Sequence, residues 1–336
     1  MMAGAILRSA QTSRTDHIKL GNGKQSLAVN MIARHGLIAG ATGTGKSVTM
    51  QTIAERASQL GIASLMVDIK GDLAREWRFP LTVQTPAYKI GPALLSRLID
   101  ASDAQEAILT IAMSKAARPP VTIDDIIALI EPDKSAGGAI IRRLEMLALR
   151  SDLIGQEDTD IAKLAGTVMA GYGRISVLDA TQLFNDPAAF AVTLTYILTA
   201  LADSLPEIGN GPPKLMLMLD EAHVMFDSPA LTAIIERTVR MIRSKGVGIY
   251  FITQSPDDIP DAIAGQLGNR IIHSLRAYTP KQLAGVRTAV ATFRANPDID
   301  TATAITNLQT GEALVSMLQD DGSPAPVEKM MIDMLD

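Results

Sequence analysis

The 336-residue chain contains no cysteine. Disulfide bonds, thiol catalysis and cysteine-ligated zinc or iron–sulfur sites are therefore excluded. An excess of positive charge is also missing, because 31 Lys and Arg residues stand against 36 Asp and Glu residues, for a formal net charge of −5. This balance excludes a protein coated in positive charge, such as a histone-like packager, but it does not exclude a local basic groove.

Long hydrophobic runs and targeting signals are missing as well. No run approaches the roughly 20 apolar residues that a membrane helix needs, and the densest ones, such as residues 215–219, are as short as a strand. The apolar run near the start is too short for a secretory signal and is not preceded by basic residues. We therefore expect a cytoplasmic protein without a membrane segment.

Histidines are too few and too scattered to indicate a metal enzyme that works without a nucleotide. The chain has four, and they show no ligand spacing. They are His17, His35, His223 and His273.

Hydrophobic residues make up 47% of the chain, as in globular proteins. Short apolar runs alternate with longer helical patterns, which is typical of an α/β fold with a mostly parallel sheet. Because the runs are almost continuously apolar, the strands should be covered on both faces. The predicted strands are residues 35–39, 64–69, 174–178, 214–219, 248–253, 271–275 and 313–317. The predicted helices include residues 47–59, 188–203, 230–245 and 280–290.

Residues from about 91 to 166 break this alternation, since they show helical patterns and no convincing strand. Ile140, Leu144 and Leu147 form an apolar stripe with helical spacing there. Because the strand pattern resumes at Arg174, we expect a helical insertion rather than a separate domain. The predicted organisation is a short N-terminal lead-in over residues 1–30 and a single domain over 31–336 that carries the insertion.

A phosphate-binding loop, the Walker A motif, is the most informative feature. Residues 40–47 match G-x-x-x-x-G-K-[ST] at every fixed position. Glycines let backbone N–H groups converge on phosphate oxygens, and the following helix points its positive end at the same phosphates. Lys46 would place its charge on the β- and γ-phosphates, and the Ser47 hydroxyl would bind Mg²⁺. The residues expected to bind nucleotide here are Gly40, Ala41, Thr42, Gly43, Thr44, Gly45, Lys46, Ser47 and Val48.

A second motif, residues 214–221, is an apolar strand that ends in two carboxylates, as in a Walker B motif. Asp220 is expected to hold Mg²⁺, directly or through water. Glu221 is expected to orient and polarise the attacking water as the catalytic base.

Two polar residues follow other predicted strands. Gln254 comes after residues 248–253, and Asp68 lies at the end of the strand after the phosphate loop. In open α/β sheets, ligands gather at the carboxyl ends of the strands. Gln254 is therefore expected to sense the γ-phosphate or position water, and Asp68 to face the nucleotide. An ordinary polar residue at a loop edge remains the alternative for both.

Residues 220–223 spell Asp-Glu-Ala-His, the tetrapeptide of DEAH-box helicases. Those enzymes need two lobes in one chain, and the second lobe carries a Gln/Gly/Arg-rich motif. The sequence has one phosphate loop and no such motif, so this interpretation fails. His223 is instead expected to pack or couple locally.

Taken together, the motifs resemble the HerA/FtsK class of P-loop ring ATPases and are most similar to the bacterial HerA-like branch typified by YjgR. The resemblance extends from about Arg34 to Lys329, and outside the phosphate loop its motifs are specific to that family. They are HGLIAGATGTGKS at 35–47, VDIKGDL at 67–73, DEAH at 220–223, IRSKGVG at 242–248, QSPDDIP at 254–260 and QLGNR at 266–270.

The resemblance implies a RecA-like core that assembles as a homo-hexameric ring, with ATP bound between neighbours. It also implies an arginine acting in trans, and the matching position is Arg243, with Arg240 as the neighbouring candidate. Arg237, Arg240 and Arg243 advance in threes along one predicted helix, which makes a basic stripe that a neighbour could use. Such an arginine stabilises the charge of the transferred phosphoryl group. A solvated helix face remains the alternative.

The leading expectation is Mg²⁺-dependent ATP hydrolysis by a ring motor that acts as a DNA translocase or helicase. The resemblance implies DNA as cargo in a central pore, with a nuclease or another effector as a further partner. Because aromatic residues make up only 4% of the chain, we expect contact with the DNA backbone rather than stacking on bases. The alternatives are a ring ATPase acting on protein cargo, as in secretion, and an ATP-dependent assembly scaffold with little turnover.

Overall fold

The computed structural model describes residues 17–334 apart from 74–77, 82, 84, 133–134, 151–153, 155–158, 169–170 and 210. Residues 1–16 of the predicted lead-in lie outside the described residues. The strands are β1 His17–Lys19, β2 Ser26–Ala28, β3 Gly36–Ala39, β4 Ala63–Asp68, β5 Phe79–Leu81, β6 Ile175–Asp179, β7 Leu215–Leu219, β8 Val247–Thr253, β9 Asn269–His273, β10 Glu312–Ser316 and β11 Glu328–Met331. The α-helices are α1 Lys46–Gln59, α2 Ala87–Leu98, α3 Asp103–Ser114, α4 Ile123–Ile127, α5 Ser135–Arg150, α6 Pro187–Ser204, α7 Pro229–Ile242, α8 Asp261–Ala264, α9 Pro280–Thr292 and α10 Thr301–Thr306.

Nine of the strands form one sheet in the order β11-β10-β9-β3-β8-β7-β4-β6-β5. Every neighbouring pair from β9 to β5 is parallel, whereas β10 and β11 add to the β9 side in antiparallel fashion. β1 and β2 pair separately as an antiparallel ribbon. The predicted α/β fold with a mostly parallel sheet is therefore confirmed.

The central strands are buried on both faces, as their continuous apolar character predicted. In β7, Leu217 belongs to the hydrophobic core on one side of the sheet and Met218 to the core on the other, because successive side chains of a strand point to opposite faces. α1 contributes Ile53 to the core that contains Met218. α6 contributes Ile197 to the core that contains Leu217.

All seven predicted strands are present, with bounds that differ by one or two residues. The sequence pattern did not predict β1, β2, β5 and β11. These strands have three or four residues each, and β5 and β11 form the outer edges of the sheet. Their partly exposed, polar or proline-containing sequences lack the apolar run that marks a buried strand.

Four helices, α2 to α5, occupy the described residues between β5 and β6, where the sequence predicts a helical insertion. The stripe of Ile140, Leu144 and Leu147 is buried in a small core of these helices. That core continues onto Ala189 and Val192 of α6. The helices are thus anchored on the main body, while the proposed division into domains stays a prediction.

One helix among the described residues, α6, is long and apolar enough to cross a membrane by length and composition alone. In the structure it packs in the protein core, where Ile197 and Leu201 are fully buried. Its apolar character is therefore accounted for by packing against the sheet and α7.

The strand order determines where polar loop residues can meet. β8 lies between β3, which leads into the phosphate loop, and β7, which ends in the two carboxylates. The spacing between neighbouring strands is about 4.8 Å, so the ends of β3 and β7 are about 10 Å apart. This gap can accommodate a phosphate group between the two motifs.

Candidate active site

The phosphate loop joins β3 to α1 and needs glycine at specific positions. Gly43 and Gly45 have φ values of 80° and 120°, a region that residues with a Cβ rarely adopt. A Cβ on Gly40 would lie 2.6 Å from the Cβ of His273. The loop backbone is thus shaped by residues without side chains, as a phosphate cradle requires.

The side chain of Lys46 folds back onto the phosphate loop. Its Nζ donates hydrogen bonds to the carbonyl oxygens of Gly40 at 2.6 Å and Ala41 at 3.1 Å. Burial lowers the pKa of Lys46, and so does the nearby charge of Lys70, while Glu221 and Asp220 oppose this shift. The ammonium therefore lies where two loops and two carboxylates converge.

His273 supports the phosphate loop from β9. Its Nδ1 lies 2.9 Å from the carbonyl oxygen of Glu312, and its Nε2 lies 2.8 Å from the hydroxyl of Thr49. Burial lowers the pKa of His273 to about 4, so we assign a neutral ring that donates from Nδ1 and accepts at Nε2. No sequence pattern indicated this role, because the contact depends on β9 lying beside β3.

Asp220 and Glu221 follow β7 and are both almost fully buried. Glu221 has φ 45° and ψ 46°, a left-handed conformation that is uncommon for a residue with a side chain and is found mainly at functional sites. Its Oε2 accepts a hydrogen bond of 3.3 Å from Gln254 and lies 3.3 Å from Nδ1 of His223. The structure therefore brings the predicted base, Gln254 and His223 together.

Lys70 is a second residue whose role the sequence did not indicate. It lies in the loop after β4, and its ammonium forms an ion pair with Oε1 of Glu221 and lies 3.9 Å from Oδ2 of Asp220. A usable signal existed, since a lysine two residues past one strand can reach the carboxylates past a neighbouring parallel strand. That inference requires knowing that β4 and β7 are adjacent.

The two carboxylates differ in their electrostatic surroundings. Burial raises the pKa of Asp220 to about 6, although the charge of Lys70 partly opposes this rise. Burial also favours a neutral Glu221, but the hydrogen bond and charge of Lys70, with Gln254 and His223, outweigh it and lower the pKa of Glu221. Glu221 is therefore held ionised, as a base must be.

The residues present fit a magnesium ion. Oδ2 of Asp220 is buried and accepts no hydrogen bond, which leaves a hard oxygen available at the carboxyl edge of the sheet, where β3 leads into the phosphate loop and α1, the helix that begins at Lys46 and contains Ser47. Mg²⁺ is commonly held by one or two carboxylates together with nucleotide phosphates. The part of the chain that the structure describes has no group of three or more His, Cys, Asp or Glu residues that could hold a metal. A metal site that nucleotide phosphates complete does not require such a group.

Asp68 lies at the same edge, but its side chain serves its own loop. Its carboxylate accepts hydrogen bonds from the backbone N–H groups of Lys70 at 3.1 Å, Gly71 at 2.7 Å and Leu73 at 2.9 Å. This geometry organises residues 69–73. A contact with nucleotide stays a prediction.

The arginines lie at the other edge of the sheet. α7 ends at Ile242, short of the predicted residue 245, and Arg243 lies just before β8, whereas Gln254 follows the carboxyl end of β8. Seven strand residues span about 23 Å, so Arg243 cannot reach the phosphate loop of its own chain. Arg240, one turn earlier, forms an ion pair with Glu236.

Arg243 is exposed and has no ion pair among the described residues. Partial burial lowers its pKa, and the nearby charge of Arg34 lowers it further. The amino edge of the sheet therefore holds Arg243 and Arg34 close enough to repel each other, while the carboxyl edge presents the phosphate loop.

A cavity of about 410 Å³ adjoins the phosphate loop. Its lining includes Ala41 and Thr42 of the phosphate loop together with His223, Gln254 and Arg276. The cavity therefore borders both the phosphate loop and the segment that follows the two carboxylates.

The sequence matches a known family model and curated relatives. The model of the helicase HerA-like C-terminal family matches residues 15–76 and 127–334. The chain is 24% identical over 347 residues to the DNA double-strand break repair helicase HerA of Saccharolobus solfataricus, covering 90% of this chain and 66% of the relative. It is 25% identical to the protein of the same name from Sulfurisphaera tokodaii, covering 86% of this chain and 63% of the relative. The chain thus spans slightly under two thirds of the length of these relatives.

Solved structures show the same fold. VirB4 of Thermoanaerobacter pseudethanolicus superposes with a TM-score of 0.66 at 15% identity, covering 96% of this chain and 97% of that one. The plasmid coupling protein TrwB in complex with ADP and Mg²⁺ superposes with a TM-score of 0.62 at 14% identity, covering 96% and 91%. These similarities concern the fold, and they confirm the RecA-like P-loop architecture.

Proposed function

The chain belongs to the helicase HerA-like C-terminal family, and on this premise we propose that it is a Mg²⁺-dependent ATPase that works in a ring and moves DNA. The observation that carries the proposal is the meeting of Lys46, Asp220, Glu221 and Gln254 at one edge of the sheet, beside the cavity that Gln254 lines together with the phosphate loop. A phosphate cradle beside an ionised, oriented carboxylate is the arrangement that nucleotide hydrolysis requires.

The phosphate loop would bind the nucleotide. Backbone N–H groups of residues 40–48 would hold the phosphate oxygens, and Lys46 would exchange its carbonyl partners for the β- and γ-phosphates. The Ser47 hydroxyl and Asp220 would hold Mg²⁺, which when bound neutralises the charge on the β- and γ-phosphates.

Glu221 would orient the attacking water and take up its proton. Gln254 restrains one carboxylate oxygen with a hydrogen bond of 3.3 Å, and His223 lies 3.3 Å from the same oxygen, which leaves the other oxygen to face the reacting groups once Lys70 moves. Gln254 would thereby act on the base as well as on the γ-phosphate.

Arg243 would complete the site of a neighbouring subunit, with Arg240 as the second candidate. Because the sheet separates these arginines from the phosphate loop of their own chain, a role in phosphoryl transfer requires a second copy. We propose a closed ring of six identical subunits, in which the amino edge of one sheet would face the carboxyl edge of the next.

DNA as cargo is supported by the names of the curated relatives, which are DNA repair helicases. The net charge of −5 is compatible with DNA if the basic groups face the interior of the ring. A cytoplasmic location belongs to the same proposal, as does a nuclease or other effector partner.

The test measures ATP turnover with and without duplex DNA, together with the mass of the assembly in solution. We expect Mg²⁺-dependent turnover that DNA raises, in a particle of several subunits, and salt-sensitive DNA binding. The Lys46→Ala variant serves as the inactive control. An ATP turnover rate that DNA does not change would favour protein cargo, and assembly without ATP turnover would favour a scaffold. Either result would contradict the proposal.

A further inference from the structure

Lys70 is a charged side chain in contact with the proposed base, and the proposed function gives it no role. Its ammonium pairs with Oε1 of Glu221 and lies 3.9 Å from Oδ2 of Asp220. Both carboxylates are buried, whereas the side chain of Lys70 is 37% exposed. One ammonium therefore faces both of the acidic groups that follow β7.

The backbone of Lys70 is held by hydrogen bonds, whereas its side chain is partly exposed. Asp68 accepts the N–H groups of Lys70, Gly71 and Leu73, and Gly71 adopts a φ of 80° that favours glycine. The lysine side chain is a flexible four-carbon stem, and here it reaches the surface. Its ammonium can therefore leave the carboxylates without any change in the loop.

The two oxygens of Glu221 are held by different partners. Lys70 contacts Oε1, whereas Gln254 and His223 lie 3.3 Å from Oε2. Departure of Lys70 would consequently free one oxygen and leave the carboxylate in place.

Building on the proposed function, we infer that Mg²⁺ held by Asp220 displaces the Lys70 ammonium from both Asp220 and Glu221. Two cations cannot occupy the same pair of buried carboxylates at short range, because their repulsion is weakly screened there. Lys70 is thus a positioning residue whose positive charge compensates the two carboxylates in the free protein. Its ammonium moves away from Glu221 when metal and nucleotide bind, and Oε1 then becomes accessible to the attacking water.

The first test measures metal affinity. Mn²⁺, which is paramagnetic, is titrated into ADP-saturated protein and followed by electron paramagnetic resonance. Lys70→Met, which keeps the stem and removes the charge, should bind Mn²⁺ about tenfold more tightly than the wild type. Lys70→Arg should bind as the wild type does. The matched control is Lys163→Met, since Lys163 pairs with Asp160 at 3.3 Å in the segment before β6; it should also bind as the wild type does. Unchanged or weaker Mn²⁺ binding by Lys70→Met would overturn the inference.

The second test measures the affinity of a fluorescent ADP analogue with and without Mg²⁺. In Lys70→Met, the factor by which Mg²⁺ strengthens binding should grow about tenfold. If the wild type binds no nucleotide, the proposed function fails and the inference falls with it. If the wild type binds nucleotide and the factor is the same in Lys70→Met, the inference alone fails. Lys70→Gln replaces Lys70→Met if circular dichroism shows that the latter is unfolded.

Discussion

Gln254 donates a hydrogen bond of 3.3 Å to the carboxylate of Glu221, 33 residues earlier in the chain. The contact exists because β7 and β8 are parallel neighbours whose carboxyl ends lie at one edge of the sheet. It restrains Oε2 of Glu221, whereas Oε1 is contacted by Lys70. The side chain that would orient the attacking water is thus positioned by a residue that follows a second strand.

Replacing Glu221 by Gln should separate binding from hydrolysis. The amide has the shape of the carboxylate but cannot take up a proton, so turnover should fall by about 10²–10⁴-fold while nucleotide stays bound. Single-turnover hydrolysis and nucleotide retention on the assembled protein are the measurements. Glu145→Gln, on the exposed side of α5, is the control and should hydrolyse at the wild-type rate. Unchanged turnover in Glu221→Gln would rule it out as the base.

Removing Gln254 should reduce kcat more than it changes KM, because the side chain positions the base. A hydrogen bond to a charged group contributes about 1.5–3 kcal/mol, so the Gln254→Ala variant should lose about 10–100-fold in kcat. Steady-state kinetics provide the measurement. Because both residues act through one contact, Gln254→Ala added to Glu221→Gln should cost little more. Full additivity in the double variant would contradict a shared role.

The trans role of Arg243 can be tested by mixing subunits. Lys46→Ala and Arg243→Ala should each be nearly inactive alone. In co-expressed mixed rings, about a quarter of the interfaces pair an intact phosphate loop with an intact arginine, so up to about a quarter of the activity should return. Arg240→Ala should have a smaller effect than Arg243→Ala, since Arg240 is engaged by Glu236. Mixed rings that stay inactive would argue against action across the interface.

His35 should make the protein sensitive to acid. It is buried, its Nε2 lies 2.9 Å from the carbonyl oxygen of Val239, and its Nδ1 accepts from the N–H of Ile249 at 3.0 Å. Burial lowers the pKa of His35 from 6.5 to about 4. Between pH 6.5 and 4 the unfolded chain therefore binds more protons than the folded one, and stability is lost as the pH falls through this window.

The loss attributable to His35 should reach about 3 kcal/mol. Urea denaturation at pH 7.5 and at pH 4.5 measures it, and the His35→Gln variant should show a smaller difference between the two conditions. His273, whose pKa is also lowered to about 4 by burial, accounts for part of the dependence that remains. The same pH dependence in both proteins would contradict a buried, neutral His35.

The parts of the site that lie close together in the sequence were the ones that could be predicted. The phosphate loop is one continuous segment whose glycines, Lys46 and Ser47 form a local pattern, and Asp220 and Glu221 end an apolar run. Lys70 lies in the motif at residues 67–73, but its role, like that of His273, could not be predicted from a local pattern because the partners of both side chains lie far away in the chain. The short strands β1, β2, β5 and β11 were not predicted for a related reason, because only their pairing with neighbouring strands distinguishes them from loops.

The sequence by itself determined the alternation of strands and helices, the phosphate loop and the paired carboxylates, because these depend on local periodicity and on the chemistry of adjacent residues. Tertiary structure alone decided the order of the strands. That order places β8 between β3 and β7 and aligns the carboxyl ends of β4 and β7. It thereby brings Lys70 and Gln254 to opposite oxygens of Glu221. The same order puts Arg243 a full strand length from the phosphate loop, because α7 runs back to the amino end of β8.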